Sequence, residues 1–389
     1  MENEATQLLF ELLKSVVYGK ALSDEFKKKL TQEAMQSLYR LSTRHDLAHL
    51  VGVVLEQNGL LSKSDQLDGY FRKQYMMAVY RYENMDHAFK QLCDALRSAQ
   101  IPFIPLKGAV LRTYYPEPWM RTSCDIDVLI KQVDLERAIE QLVHRASFIF
   151  KERDPHDVSL FSQNGVHIEL HFHLIEEVRY PIAVQTLSKA WDYASPSGDD
   201  PYLYELSDDF FYFYHVAHMA KHFENGGCGI RPLLDLWYLE HRVSHDRAKR
   251  DAMLEKGNLL TFANAARELC AVWFDGKSPS PVTLQMQEYI LTGGVYGNLD
   301  NSVAVRQTKQ GSVRKSIRSR LFLPYEMLSE KHPILKKHRW LSPIFQIRRW
   351  IVTVRRGKIK RTLCELELHQ SIPRERVDSV GALLRKIGL

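Results

Sequence analysis

Residues 124–130, CDIDVLI, carry two aspartates one residue apart, Asp125 and Asp127, alternating with Ile126 and Val128. That alternation is a strand signature, and residues two apart on a strand project from one face. Two neighbouring carboxylates repel unless a cation lies between them. Hard oxygen donors on a shared face, with no obvious counter-lysine, suit Mg²⁺ or Mn²⁺. The same pattern fits a solvent-facing edge strand whose acidic residues keep it soluble. A third carboxylate is offered by the stretch DVSLFSQNGVHIELHFHL, which reads as a hairpin: a strand over 158–162, an Asn164-Gly165 turn and a strand over 166–174. In the second strand Ile168, Leu170, Phe172 and Leu174 share one face, and His167, Glu169, His171 and His173 the other, which makes Glu169 the candidate third ligand.

Ahead of the aspartates, IPFIPL reads as a short apolar strand, Lys107-Gly108 as a tight turn, and AVLRTYY as one or two helical turns ending before Pro116. A strand, a glycine turn and a helix N-terminus together offer backbone N–H groups to a phosphate, and Lys107 adds a point charge. Farther on, His215, His218 and His222 recur at helical spacing beside Lys221. Taken alone they describe an amphipathic helix with half-buried polar aromatics.

Lys-Gly, Asp-x-Asp, Glu-x-His and His-x-x-Lys-His occur here in that order, and over roughly 99–239 the chain resembles a bacterial nucleotidyltransferase family of the DNA polymerase β superfamily. The resemblance implies a transferase that moves a nucleotidyl group from a nucleoside triphosphate such as ATP to a hydroxyl or similar acceptor. It implies Mg²⁺ or Mn²⁺ on Asp125, Asp127 and Glu169, with Glu169 also helping to deprotonate the acceptor. Lys107, the Gly108 backbone and Arg121 would neutralise the triphosphate, although Arg121 suits a surface pair with Glu117 equally well. By the same resemblance His218, Lys221, His222, Arg231 and Asp235 wall the nucleotide cleft. Lys221 and Arg231 would contact triphosphate or acceptor, Asp235 would orient Arg231 through a bidentate pair, and His171, His218 and His222 would stand behind the ligands. One departure bears on activity: Ala109 follows Gly108 where the superfamily has serine.

Two other function classes fit these residues. One is a catalytically inactive nucleotide-binding or regulatory protein of the same fold, for which Ala109 speaks. The other is a zinc hydrolase using His167, His171 and His173, whose spacing along one strand is too long for a single tetrahedral ion.

The elements that must position these residues give an α+β expectation: a nucleotidyltransferase-like mixed β-sheet core flanked by N-terminal and C-terminal helical regions. The expected segments are a helical region over 1–98, the α/β core over 99–195, a helical region closing the cleft over 196–300, and a basic helical tail over 301–389. Hydrophobic residues make up 45% and charged residues 26% of the 389, the composition of an ordinary globular protein. No apolar run reaches membrane-span length, and the first residues are acidic where a signal peptide needs bases, so the expected location is cytoplasmic. The five cysteines are scattered singly and suggest neither a zinc site nor a disulfide framework. Of 53 Lys plus Arg and 47 Asp plus Glu, 17 and two fall between 306 and 361, which leaves 36 bases against 45 acids elsewhere. That tail interleaves its charge with Trp340, Phe345 and Trp350. It suits an anionic membrane surface, a polyanion or nucleic acid, or helices that pack back on the core with solvated lysines.

Overall fold

The computed structural model describes residues 2–174, 181–295, 297–355, 357 and 359–389. Five strands, β1 (Phe103–Pro105), β2 (Asp125–Ile130), β3 (Ile149–Arg153), β4 (Asp157–Phe161) and β5 (His167–His171), form one sheet in the order β1-β2-β5-β4-β3. β2 and β5 run parallel and the other neighbours antiparallel, so the sheet is mixed, and with helices on either side in sequence the fold is α+β as expected.

Alternation gives this sheet two unlike faces. Ile126, Val128, Val158, Leu160, Ile168 and Leu170 are buried against Leu92 and Leu96 of helix Gln66–Ser98 and against Leu135 and Ala138. The opposite face carries Asp125, Asp127 and Glu169, and the β2–β5 register sets Asp127 directly beside Glu169. A slip of one residue would bring the carboxylates into the core and the isoleucines out, so burial of the apolar face fixes which acids are neighbours.

The polar row is shorter than the sequence suggests. β5 ends at His171, and the N–H groups of Phe172 and His173 both donate to His156 O, at 3.0 and 3.2 Å. His173 therefore leaves the row and lines a separate small cavity with Leu129 and Trp191.

The helical regions on the two sides of the sheet share an apolar core. Helices Glu2–Tyr18, Gln32–Arg44 and Ala48–Gln57 pack with Asp208–Glu224, Arg231–His241 and Leu260–Phe274, and Phe10 stacks on Trp273 at 4.5 Å. Part of the basic tail joins them. Val380, Leu383 and Leu384 of helix Arg374–Lys386 lie in that core, and Gln307 Nε2 donates to the carbonyl of buried His369 at 2.7 Å. Helix Ser342–Arg355, by contrast, buries no residue.

Candidate active site

Asp127 is the hub of the polar face and is 1% exposed. Its Oδ1 accepts from Lys107 Nζ at 2.7 Å and from His171 Nε2 at 2.9 Å, and the same imidazole nitrogen lies 3.3 Å from Glu169 Oε2. The expectation of an acidic pair without a counter-lysine is thus corrected, because Lys107 is that counter-ion. Leu106 N–H donates to Asp127 O at 3.0 Å, so the end of β1 is tied to β2, and Lys107 then takes a left-handed φ of 40° that aims its side chain back over the strand. A lysine rarely adopts that backbone, and here the ion pair with Asp127 accompanies the strain.

Lys107 and Gly108 also prove to be the first residues of helix Lys107–Leu111, rather than a turn preceding it. Gly108 is needed for proximity: a Cβ there would stand 2.9 Å from Arg121 Nη1 and 3.0 Å from Ser123 Oγ. Because Arg121 is held elsewhere, Gly108→Ala should cost about 1–3 kcal/mol through overpacking, read as a lowered urea midpoint with an unchanged slope.

The carboxylates meet at Glu169. Its oxygens lie within 4.8 Å of potential ligand atoms of Asp127 and His171 in one group, and of Asp125 and His167 in another. No single group among the described residues contains all three carboxylates; Glu169 is common to the two, and carboxylate oxygens are donors of the kind a hard divalent cation takes, with Lys107 the competing counter-ion at Asp127. The electrostatics set the two aspartates apart. Burial and the neighbouring Asp127 raise the Asp125 carboxyl above its usual range. Burial opposes charge on Asp127 too, but Lys107 and His171 outweigh it and hold that carboxyl well below the ordinary range. His171 is pushed up to about 9 because, against its burial, Asp127 and Glu169 both accept from it. The three candidate zinc histidines do not converge: no group of potential ligands among the described residues contains all of His167, His171 and His173.

A cavity of about 380 Å³ opens over this face. Across from the acids stand His215, His218, Lys221 and His222 of helix Asp208–Glu224, and Arg231 at the start of the next helix. The sheet thus presents oxygen donors and the helices present cations and imidazoles, an arrangement that accommodates an anion bridged to metal ions. The sequence model of a family described as uncharacterised nucleotidyltransferase matches residues 31–275. The chain belongs to that family. No curated protein and no solved structure gave a significant match.

The matched span of this nucleotidyltransferase family contains every candidate site residue and stops short of the basic tail. Within it, the structure repairs one pairing. Asp235, fully buried, accepts from Arg121, not from Arg231: Arg121 Nε reaches Oδ1 at 3.2 Å and Nη2 reaches Oδ2 at 2.9 Å, with Tyr115 Oη donating to Oδ1 at 2.7 Å. Arg121 therefore belongs neither to a surface pair with Glu117 nor wholly to the cavity. Arg231 Nη1 instead donates to Thr122 O at 2.9 Å and to Asp46 Oδ2 at 3.2 Å, and Thr122 Oγ1 donates to the same Asp46 oxygen at 2.7 Å. His49 Nε2 donates to Met120 O at 2.8 Å. The loop leading into β2 is thus braced by the N-terminal helices, through Asp46 and His49, which nothing in the sequence singles out. Asp157 is a third such residue. It lies in register with His171, forms with His156 and His171 a further group of potential ligands, and is raised to about 6 by burial.

His218 and His222 face the cavity with their Nε2 atoms 3.2 Å apart, and burial lowers both, His222 to about 4. His45, His49 and His215 are buried outright, each bonded through Nε2 to a backbone carbonyl, and each is lowered by burial. A base whose folded pKa is depressed contributes stability above its unfolded pKa and loses it as pH falls. For His45 that window runs from 6.5 down to about 4. For His45 the loss should approach about 1.4 kcal/mol per pH unit inside that window, so urea midpoints should fall between neutral pH and about pH 5, less so in His45→Gln.

Proposed function

We propose that this protein transfers a nucleotidyl group from a nucleoside triphosphate to a hydroxyl acceptor, using divalent cations held by Asp125, Asp127 and Glu169. The observation that carries the reading is the β2–β5 register, which brings the hairpin glutamate beside Asp127 on the one face of the sheet that opens into a cavity. Bound there, Mg²⁺ would polarise the α-phosphate and offset the charge on the attacking and leaving oxygens.

The chain's own groups do the rest. Asp127 and Glu169 orient the donor set, and His171 holds their oxygens by donating between them. Glu169, half-buried at the cavity, is placed to accept the acceptor's proton as its oxygen bonds to the α-phosphorus. The bond from that phosphorus to the bridging oxygen of the β-phosphate breaks, and pyrophosphate leaves. Lys107, now paired with Asp127, and Lys221 and Arg231 on the opposite wall would neutralise the triphosphate. Arg121, clamped by Asp235, packs against Gly108 in the first turn of helix Lys107–Leu111, against which the phosphates would rest.

A second reading is favoured by one feature: Lys107 already neutralises Asp127 within the chain itself, as would suit a nucleotide-binding protein that transfers nothing. Incubation with α-labelled nucleoside triphosphates, Mg²⁺ and a cell extract separates the two. Label in a new product together with pyrophosphate release, both lost in Glu169→Gln, supports transfer. Retention of labelled nucleotide by the protein without either product supports binding alone.

A further inference from the structure

Large apolar side chains are exposed along one side of helix Ser342–Arg355 and the turn before it. Trp340, Ile344, Ile347, Ile351 and Val354 are 72, 56, 61, 46 and 52% exposed. Their spacing of four, three, four and three places them on one stripe of a helix. The stripe is exposed because the other side of the helix is engaged. Phe345 lies against His332, ring centroids 4.5 Å apart and tilted by 35°, and Gln346 donates to Leu323 O at 2.7 Å and accepts from Leu323 N at 3.4 Å. A contiguous apolar row of this kind on a folded surface marks an interaction site.

The rim of the stripe says what covers it. Arg348 and Arg355 on the helix, and Lys336, Lys337 and Arg339 just before it, are all exposed. Between 331 and 356 there are eight Lys plus Arg and no acidic residue. A nucleic acid would satisfy those cations and leave the apolar row in water. A second copy of the chain would cover the row while setting like charges against each other. A bilayer with anionic headgroups satisfies both, the row entering the acyl boundary and the cations meeting the headgroups. No described helix is long and apolar enough to cross a membrane, so the attachment is to the surface.

We propose that this helix docks the protein on an anionic lipid surface through the row Trp340, Ile344, Ile347, Ile351 and Val354. The inference is independent of the catalytic reading. Co-sedimentation of the full chain with phosphatidylcholine vesicles, with and without phosphatidylglycerol, tests it. Binding is expected to the anionic vesicles and to fall as salt rises. It should weaken about tenfold or more in Ile347→Asp/Ile351→Asp and in Arg348→Glu/Arg355→Glu, changes at exposed positions whose thermal melts should match the parent. Equal binding by the variants, or none to anionic vesicles, would overturn the proposal. So would a dimer in light scattering that Ile347→Asp/Ile351→Asp disperses, or retention of RNA, in the absence of vesicle binding.

Discussion

Asp127→Asn is expected to abolish transfer and also to destabilise the chain, whereas Asp125→Asn should abolish transfer and leave stability unchanged or slightly higher. The two residues share a strand face and, in sequence, look interchangeable. Their surroundings are not alike. Asp127 is buried and neutralises Lys107 and His171 at 2.7 and 2.9 Å, so an amide there leaves Lys107 without its carboxylate and the buried imidazole with Glu169 alone. Removing one member of such a buried set typically costs about 3–5 kcal/mol. Asp125 makes no comparable bond, and its carboxyl is raised by burial and by Asp127, so its charge works against the fold. On the proposed reading both changes should lower transfer by about three orders of magnitude, since each would remove a donor for the cations. Urea denaturation without metal, paired with the labelled-nucleotide assay, reads the two effects separately. Equal stability losses would show that the Lys107 pair does not hold in solution.

The second large effect lies at the Arg121–Asp235 pair. Arg121→Met leaves a carboxylate with no exposed surface to the Tyr115 hydroxyl alone, and Asp235→Leu leaves a buried guanidinium with only a long bond of 3.4 Å to Thr122 O. Each single change should cost about 3–5 kcal/mol, and the double variant markedly less than their sum, because neither charge is then left without its partner. Single variants within about 1 kcal/mol of the parent would contradict the assignment. The result also bears on the site. If Arg121 acts through Gly108 and Ser123 rather than on phosphate, the double variant should recover stability and still bind nucleotide weakly, since the start of helix Lys107–Leu111 has lost the guanidinium it packs against.

What the sequence made legible followed from local periodicity. The alternation in DIDVLI and HIELH predicts two strands with acids on one face, and β2 and β5 have that form. The helical spacing of His215, His218 and His222 is equally plain, and all three lie on helix Asp208–Glu224. What stayed hidden was long-range. Which strand lies beside β2 depends on the crossover through β3 and β4, and only that neighbour relation brings Glu169 to Asp127. The partner of Asp235 is 114 residues away, and a nearer arginine, Arg231, looked suitable at a spacing of one helical turn. Arg231 in turn is held by Asp46 across 185 residues. The end of β5 was misplaced because HFHL continues the alternation, while its backbone leaves the ladder for the His156 carbonyl.

Transfer as proposed requires the three carboxylates on β2 and β5 to hold divalent cations at a triphosphate. The most direct measurement is a crystal structure of the chain soaked with Mn²⁺ and a non-hydrolysable nucleoside triphosphate, with anomalous scattering recorded at the manganese edge. The account predicts anomalous peaks in contact with Asp125, Asp127 and Glu169, the triphosphate against the same peaks, and the Lys107 ammonium moved from Asp127 to phosphate. Peaks at the histidines alone, or a triphosphate bound while Lys107 still caps Asp127 and the carboxylates carry no metal, would contradict it.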